Sequence, residues 1–316
     1  MTLFSVVIPT HRRPGTLFLV LDALGRQEGP PAFEVVVVDD GSGDSTADRL
    51  PAYRAPYPLR SFFQQNSGPA QARNRGVAEA RGDVIVFLGD DTVPEPGFLA
   101  AHARGHAGKA GGSVAVLGYT TWPAGRPVSP FLHHINERGL QFGYALIEDP
   151  EAVPFNFFYT SNISVPRRLL QEAGLFDVTF PHAAWEDIEL AYRLSKRGMR
   201  ILYRPEAVAR HHHDVTFASF RRRQERSGEA ASIFFEKHPE LSAFLGVPQA
   251  LTFSNGSSAR DRVRAAWASL AERWALPGTL AALDRVLRDD YLRGLARSLR
   301  ARGWTANGRR PNVSPG

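Results

Sequence analysis

Cysteine is absent from all 316 residues. That excludes a disulfide scaffold, a cysteine nucleophile and a thiolate metal site, so any metal ion must be held by Asp, Glu or His. A long hydrophobic run is missing too: the longest apolar stretches, such as 35–38, fall far short of the ~20 residues of a membrane-spanning helix. The chain opens MTLFSVVIPTHRRP, which reaches Pro9 before a signal-like apolar core develops and carries its Arg residues after the apolar run. No secretion signal is read there, and the expected location is cytoplasmic, with peripheral contact at the inner face of a membrane as the one departure from it. A broad cationic surface is also lacking. The formal net charge is +6, yet 256–316 hold 12 Arg against 5 acids, which leaves the preceding residues about one unit negative. No groove for a phosphate backbone is indicated in the first 255 residues, so nucleic acid is not an expected partner.

What is present is ordinary globular composition, 43% hydrophobic and 22% charged, in a chain long enough for one large domain and an appendage. Segments 4–8, 33–38, 59–64 and 83–88 are short apolar runs bounded by turn signals, which suits strands covered on both faces. Helical patterns at 14–26, 45–52, 69–80 and 96–106 separate them. That alternation predicts βαβ units, hence an α/β fold with a mainly parallel sheet flanked by helices. The later half is less regular. Strands are expected at 114–119 and 156–165, with a long connection between them that carries His133, His134 and Glu137 and has the length of a site-lining loop. Helices are expected at 186–197 and 216–237, separated by a strand at 199–203 and the run His211, His212, His213.

In parallel sheets ligands collect beyond the carboxyl ends of the strands, where the strand order reverses. Here those ends read Pro9-Thr10-His11-Arg12, Asp39-Asp40-Gly41-Ser42 and Gly89-Asp90-Asp91. Asp39 or Asp40 can accept hydrogen bonds from a base or from ribose hydroxyls, although an Asp-Gly turn with a helix cap is an ordinary structural device. Adjacent acids such as Asp90 and Asp91 repel, each raising the other's pKa, and a divalent cation removes that penalty. Mg²⁺ or Mn²⁺ favours such oxygen donors and shares its shell with substrate phosphates. The stretch Trp185-Glu186-Asp187 opens an acidic helix, which the helix dipole alone would stabilise and which also suits a general base. Three consecutive imidazoles cannot all face one way, so one or two of the His run are candidate ligands.

Together these segments resemble the inverting family-two glycosyltransferases with the GT-A fold. The resemblance is carried by SVVIPTHRRPGTL, VVVVDDGS, GPAQARNRGVAEARGDVIVFLGDD, TSNISVPRRLLQEAGLFD, WEDIELAYRL and RPEAVARHHH, in family order over roughly residues 4–215. It implies transfer of a sugar from a nucleotide-diphosphate donor to an acceptor hydroxyl with inversion, assisted by Mn²⁺ or Mg²⁺. It further implies that Pro9, Thr10 and Arg12 line the nucleotide pocket, that Asp39 or more readily Asp40 holds base and ribose, and that Arg73 approaches base or diphosphate. Asp91 is the implied metal ligand, joined by His211 or else His213, with Asp90 among the nucleotide-sugar contacts. Asn162, with Thr160 and Ser161, shapes the donor-sugar and acceptor pocket. Asp187 is the implied base, and Glu186 and Trp185 contact the acceptor or sugar. Many relatives carry Asp where this chain has Gly89, which leaves metal binding more dependent on Asp90 and His211.

The implied catalytic domain covers 1–247, with a nucleotide-binding half to about 110 and an acceptor half after it, followed by a basic helical extension over 248–316 with a frayed end. Helical spacing of Val286, Leu287, Leu295 and Leu299 suits packing against the catalytic domain or a second subunit. The alternative is an interfacial helix drawn to anionic lipid, which would suit a lipid-linked acceptor as well as a glycan or small molecule. Two rival functions share such a scaffold. A nucleotidyltransferase would show a Gly-rich phosphate loop after the first strand, which 9–14 lacks, and a catalytically silent nucleotide-sugar-binding module would not need Asp91, Asp187 and His211 intact.

Overall fold

A computed structural model describes residues 2–108, 112–253, 259–272, 274 and 276–305; the end expected to fray, 307–316, lies outside them. The described elements are β1 (Phe4–Thr10), α1 (Pro14–Leu24), β2 (Phe33–Asp40), α2 (Thr46–Ala52), β3 (Leu59–Gln64), α3 (Pro69–Glu79), β4 (Val84–Leu88), β5 (Thr92–Pro94), α4 (Phe98–His106) and β6 (Val114–Thr121). They continue with α5 (Pro130–Glu137), β7 (Asn162–Pro166), α6 (Arg167–Glu172), α7 (Glu186–Lys196), β8 (Arg200–His211), α8 (Phe217–Lys237), α9 (Val247–Leu251), α10 (Ala259–Ser269) and α11 (Thr279–Ala301).

The strands form one eight-stranded sheet in the order β3-β2-β1-β4-β7-β6-β8-β5. Its first half is the expected parallel sheet, with β1 between β2 and β4. The Val35 to Val38 run is fully buried because both faces of β2 are covered, whereas β3 at the edge is only half-buried. Pro14 and Pro69 start α1 and α3 at the first helical turn, where a missing N–H costs nothing. The second half mixes directions: β7 runs antiparallel to β4 and β6, and β8 parallel to β6.

The second half departs from the sequence expectation in two places. The single strand expected at 156–165 is a 3-10 turn at Phe155–Phe157 followed by β7, because Asn162 N–H turns back to the Tyr159 carbonyl at 3.0 Å and breaks the extended run. The strand expected at 199–203 is instead the twelve-residue β8, which passes Pro205 by a register shift opposite Gly118 and Tyr119 and resumes pairing at Val208. That irregularity carries the strand on to His211.

The chain divides into two compact units. One comprises 1–126, 136–178 and 186–213 and contains the whole sheet; the other comprises 127–135, 179–185 and 214–316. The expected boundary at 248 therefore falls inside the second unit, whose α8 already pairs with α11. These helices meet backbone to backbone: a Cβ on Gly228 would strike the Tyr291 carbonyl, and one on Gly294 the Glu225 carbonyl. Val286, Leu287, Leu295 and Leu299 of α11 are all buried. Among the described residues no helix is long and apolar enough to cross a membrane.

Candidate active site

The strand order reverses between β1 and β4, and the carboxyl ends of those two strands hold the first part of the site. Thr10 Oγ1 donates to Asp90 Oδ2 at 2.8 Å, and Arg13 lays its guanidinium on Asp91 Oδ2 with Asp90 Oδ1 at 3.4 Å. Both acids are over nine-tenths buried. Burial and the neighbouring Asp91 charge push the Asp90 carboxyl up to about 6. Asp91 is driven the other way: burial opposes its ionisation, but the hydrogen bond and charge of His211 with the charges of Arg13 and His213 hold it well below the usual carboxylate range. A Cβ on Gly89 would sit 2.7 Å from Thr92 Oγ1 and 3.1 Å from Asp91 Oδ1, so a third acid there would force the Thr92 hydroxyl aside and press on Asp91.

His211 reaches Asp91 through β5, a three-residue strand absent from the sequence expectations. It pairs Thr92 with His211, and the His212 N–H donates to the Asp91 carbonyl at 2.6 Å. His211 Nε2 thereby lies 3.5 Å from Asp91 Oδ2, and His213 Nδ1 lies 4.0 Å from the same oxygen. The His211 ring is packed against Trp122 and Phe142, while its Nδ1 faces the Gln141 amide at 3.2 Å. Among the described residues no group of three or more His, Asp or Glu is spaced to hold a metal ion. Asp91 and His211 are donors of the kinds a divalent ion accepts, two ligands that would leave the rest of its shell to other groups.

At the end of β2 the two acids have separated roles. Asp40 is occupied by the protein itself: Oδ1 accepts from Ser67 N–H and Gln64 Nε2, both at 2.8 Å, and Oδ2 from Gly68 N–H at 2.9 Å. Asp39 Oδ1 accepts from Ser42, but its Oδ2 is buried and finds no partner among the described residues. The open acceptor is therefore Asp39, in contrast to the expectation for Asp40. Arg12 bonds Ser42 through its N–H at 2.9 Å and Nε at 3.1 Å, and its φ of 56° turns the chain so that Arg13, which sequence reasoning passed over, faces the acids. Pro9 is half-buried in β1 beside Thr10.

The third part is the start of α7. Asp187 Oδ1 accepts from Ile188 N–H at 2.9 Å and Oδ2 lies 3.4 Å from Thr160 Oγ1. Burial and the adjacent Glu186 push Asp187 up to about 7 against the opposing charge of Arg73. Arg73 Nη1 pairs with Glu186 Oε1 at 2.7 Å above the Phe176 ring, leaving Arg73 Nε and Glu186 Oε2 buried without partners among the described residues. Gly89 N–H donates to the Ser161 carbonyl at 3.4 Å, so the turn bearing Thr160 links this part to the acids of β4. Non-glycine residues with positive φ, Arg12, Leu175 and Trp185, each adjoin a residue of this assembly, as strained backbone commonly does.

Two expected contacts lie elsewhere. Asn162 is fully buried, with Oδ1 at 2.9 Å from His102 Nε2 and Nδ2 donating to the Ala207 carbonyl at 2.9 Å, so its amide ties strands together and does not face a ligand. Trp185 donates its indole N–H to Ser227 and packs on Phe234, Phe244 and Tyr291 within the helical unit. The connection after β6 also contributes differently: Glu137 accepts from Tyr119 and Asn136, and His134 pairs with Asp284, while Gln141 and Phe142 reach the site.

Residues 5–157 match the family described as Glycosyl transferase family 2, and 84–276 match Glycosyl transferase family group 2. The chain belongs to glycosyltransferase family 2. Its fold is GT-A. Among curated proteins it is 32% identical over 301 residues to two proteins named validoxylamine A glucosyltransferase, from Streptomyces hygroscopicus subsp. limoneus and subsp. jinggangensis. The alignments cover 85% of this chain and 64% and 69% of those proteins, so the chain spans only about two thirds of the relatives' length. The fold is shared by residues 1–349 of TarS from S. aureus, at TM-score 0.55 and 20% identity over 96% of this chain and 93% of that one. It is shared too by the mannosyltransferase PcManGT from Pyrobaculum calidifontis, solved with GDP-Man and Mn²⁺, at TM-score 0.59 and 22% identity over 94% and 86%.

Proposed function

We propose that this chain moves a glycosyl group from a nucleoside-diphosphate sugar to an acceptor hydroxyl with inversion at the anomeric carbon. The carrying observation is Asp187: a half-buried carboxylate at a helix start, pushed up to about 7, in one assembly with the acids of β4. In that role the Asp187 carboxylate takes the acceptor hydroxyl proton while the oxygen forms its bond to the anomeric carbon. The bond from that carbon to the diphosphate oxygen breaks, and the nucleoside diphosphate leaves with the electron pair. The burial of Asp187 keeps it basic enough for this near neutral pH.

The remaining residues bind and orient. The unpaired Asp39 Oδ2 suits a base N–H or ribose hydroxyl, and Arg13 lies where a diphosphate oxygen would meet it. Arg73 and Glu186 brace the start of α7, with Glu186 Oε2 left to accept from a sugar hydroxyl. Asp91 and His211, joined by His213, would hold Mn²⁺ or Mg²⁺, which supplies charge neutralisation for the leaving diphosphate. Support for this donor and ion comes from the related folds solved with UDP-GlcNAc and with GDP-Man and Mn²⁺.

A panel of nucleotide sugars, each with and without Mn²⁺, tests the proposal. Free nucleoside diphosphate should accumulate with the correct donor, and Asp187→Asn should bind that donor while turning it over far more slowly. Release of pyrophosphate would point to nucleotidyl transfer. Donor binding without turnover in the unaltered chain would indicate a silent module.

A further inference from the structure

The helical unit carries an apolar stripe that its own core does not use. Val263, Trp267, Leu270 and Trp274 are 70%, 43%, 37% and 60% exposed. Their spacing of four, three and four residues places them within an arc of about 60° on a helix of 3.6 residues per turn. α10 runs into a 3-10 turn at Leu270–Glu272, and Trp274 N–H donates to the Leu270 carbonyl at 2.8 Å, which keeps Trp274 over the turn that carries Leu270. The inward face is the one that packs: Ala268 and Ala271 are fully buried. The stripe is thus a second, outward apolar face on a segment already anchored by its first.

We propose that this stripe seats the protein on the surface of an anionic lipid bilayer. Two tryptophans seven residues apart are the chemistry of the headgroup boundary, where an indole buries its rings and keeps its N–H wet. The charges match. Arg262 is exposed on one side of the stripe, and Arg264 on the other pairs with Asp261 at 3.1 Å. The sequence of 256–316 carries 12 Arg against 5 acids, a net positive charge that favours an anionic surface. A second copy of the chain is the weaker match, because four partly exposed side chains present far less than the about 800 Å² per partner of a stable interface. The inference is independent of the catalytic reading, since no residue of the stripe belongs to the candidate active site.

Flotation of the full chain with phosphatidylcholine vesicles, with and without about 30 mol % phosphatidylglycerol, tests it. The chain should float with the anionic vesicles only, and added salt should release it. Trp267→Ser with Trp274→Ser should weaken that binding by at least about tenfold. Circular dichroism should be unchanged, and Arg262→Glu, which leaves the stripe intact, should weaken it as well. The proposal is overturned by a chain that ignores anionic vesicles, or by a double variant that binds them as before. It also fails if light scattering finds a dimer that the double variant splits.

Discussion

Arg13 and His211 converge on one oxygen of Asp91, the guanidinium in direct contact and the imidazole Nε2 at 3.5 Å. They come from strands on either side of β4 in the sheet order, Arg13 from the turn after β1 and His211 from the carboxyl end of β8. A buried carboxylate needs a positive neighbour, and Arg13 supplies one in the absence of ligand. Donor diphosphate offers that guanidinium an alternative partner of higher charge. In the proposed reaction, donor binding would free the Asp91 carboxylate for the divalent ion.

Substituting Arg13 with Gln therefore separates the two cations. Mn²⁺ binding without donor should tighten by about tenfold, because a competing charge within contact distance is gone. Nucleoside-diphosphate affinity should fall at the same time, having lost a charge-assisted hydrogen bond. Electron paramagnetic resonance titration reads the first and calorimetry the second. Unchanged Mn²⁺ affinity would mean that Arg13 and the ion do not share Asp91.

Asp187 sets an expected pH dependence. A base works only when ionised, and burial and then Glu186 raise this carboxyl to about 7, so kcat/KM should climb as pH rises through 7 and level off above it. Asp187→Asn should lower kcat/KM by about 10²–10⁴-fold and flatten the profile. A variant that keeps the wild-type inflection would assign it to another group.

Much of the fold was legible because its signals are local. Val and Ile runs marked β1, β2 and β4, Pro14 and Pro69 marked helix starts, and Glu186 with Asp187 marked the first turn of α7. What the sequence hid depends on pairing or backbone sign. β5 has three residues and exists only because β8 lies beside it, and β8 reaches that far only through an irregularity opposite Gly118. Whether Arg12 or Arg13 faces the acids turns on a positive φ at Arg12, and whether Asp39 or Asp40 stays open turns on which one the backbone of Ser67 and Gly68 consumes. Asn162 and Trp185 sit in the right motifs with their side chains turned into the protein, a direction that spacing does not encode.

The Asn162 tie makes Gly118 sterically obligatory. A Cβ there would collide with the Asn162 amide and the Ala207 carbonyl, neither of which can withdraw without losing the other. Gly118→Ala should cost about 2 kcal/mol or more of stability and loosen the turn carrying Thr160, lowering kcat along with the thermal midpoint. An alanine variant as stable and active as the parent would show that this tie is dispensable.

His102 gives the same region an acid limit. Its ring is fully buried between Ser164 Oγ at 2.9 Å and Asn162 Oδ1 at 2.9 Å, with His106 on the far side of Ser164 at 2.8 Å. Burial pushes the ring down to about 3, against the opposing hydrogen bond that its Nε2 donates to Asn162 Oδ1 and with help from the His106 charge. An unfolded chain takes up a proton at the ordinary histidine value near 6.5, whereas the folded chain cannot until near 3, so protons favour unfolding across that window. Stability from His102 is complete above 6.5 and drains as pH falls, by about 2 kcal/mol between 6.5 and 5. His102→Gln keeps a hydrogen-bonding side chain without the titration. Its urea midpoints should start lower at pH 7 and decline less steeply to pH 5, whereas parallel curves for the two proteins would place the acid sensitivity elsewhere.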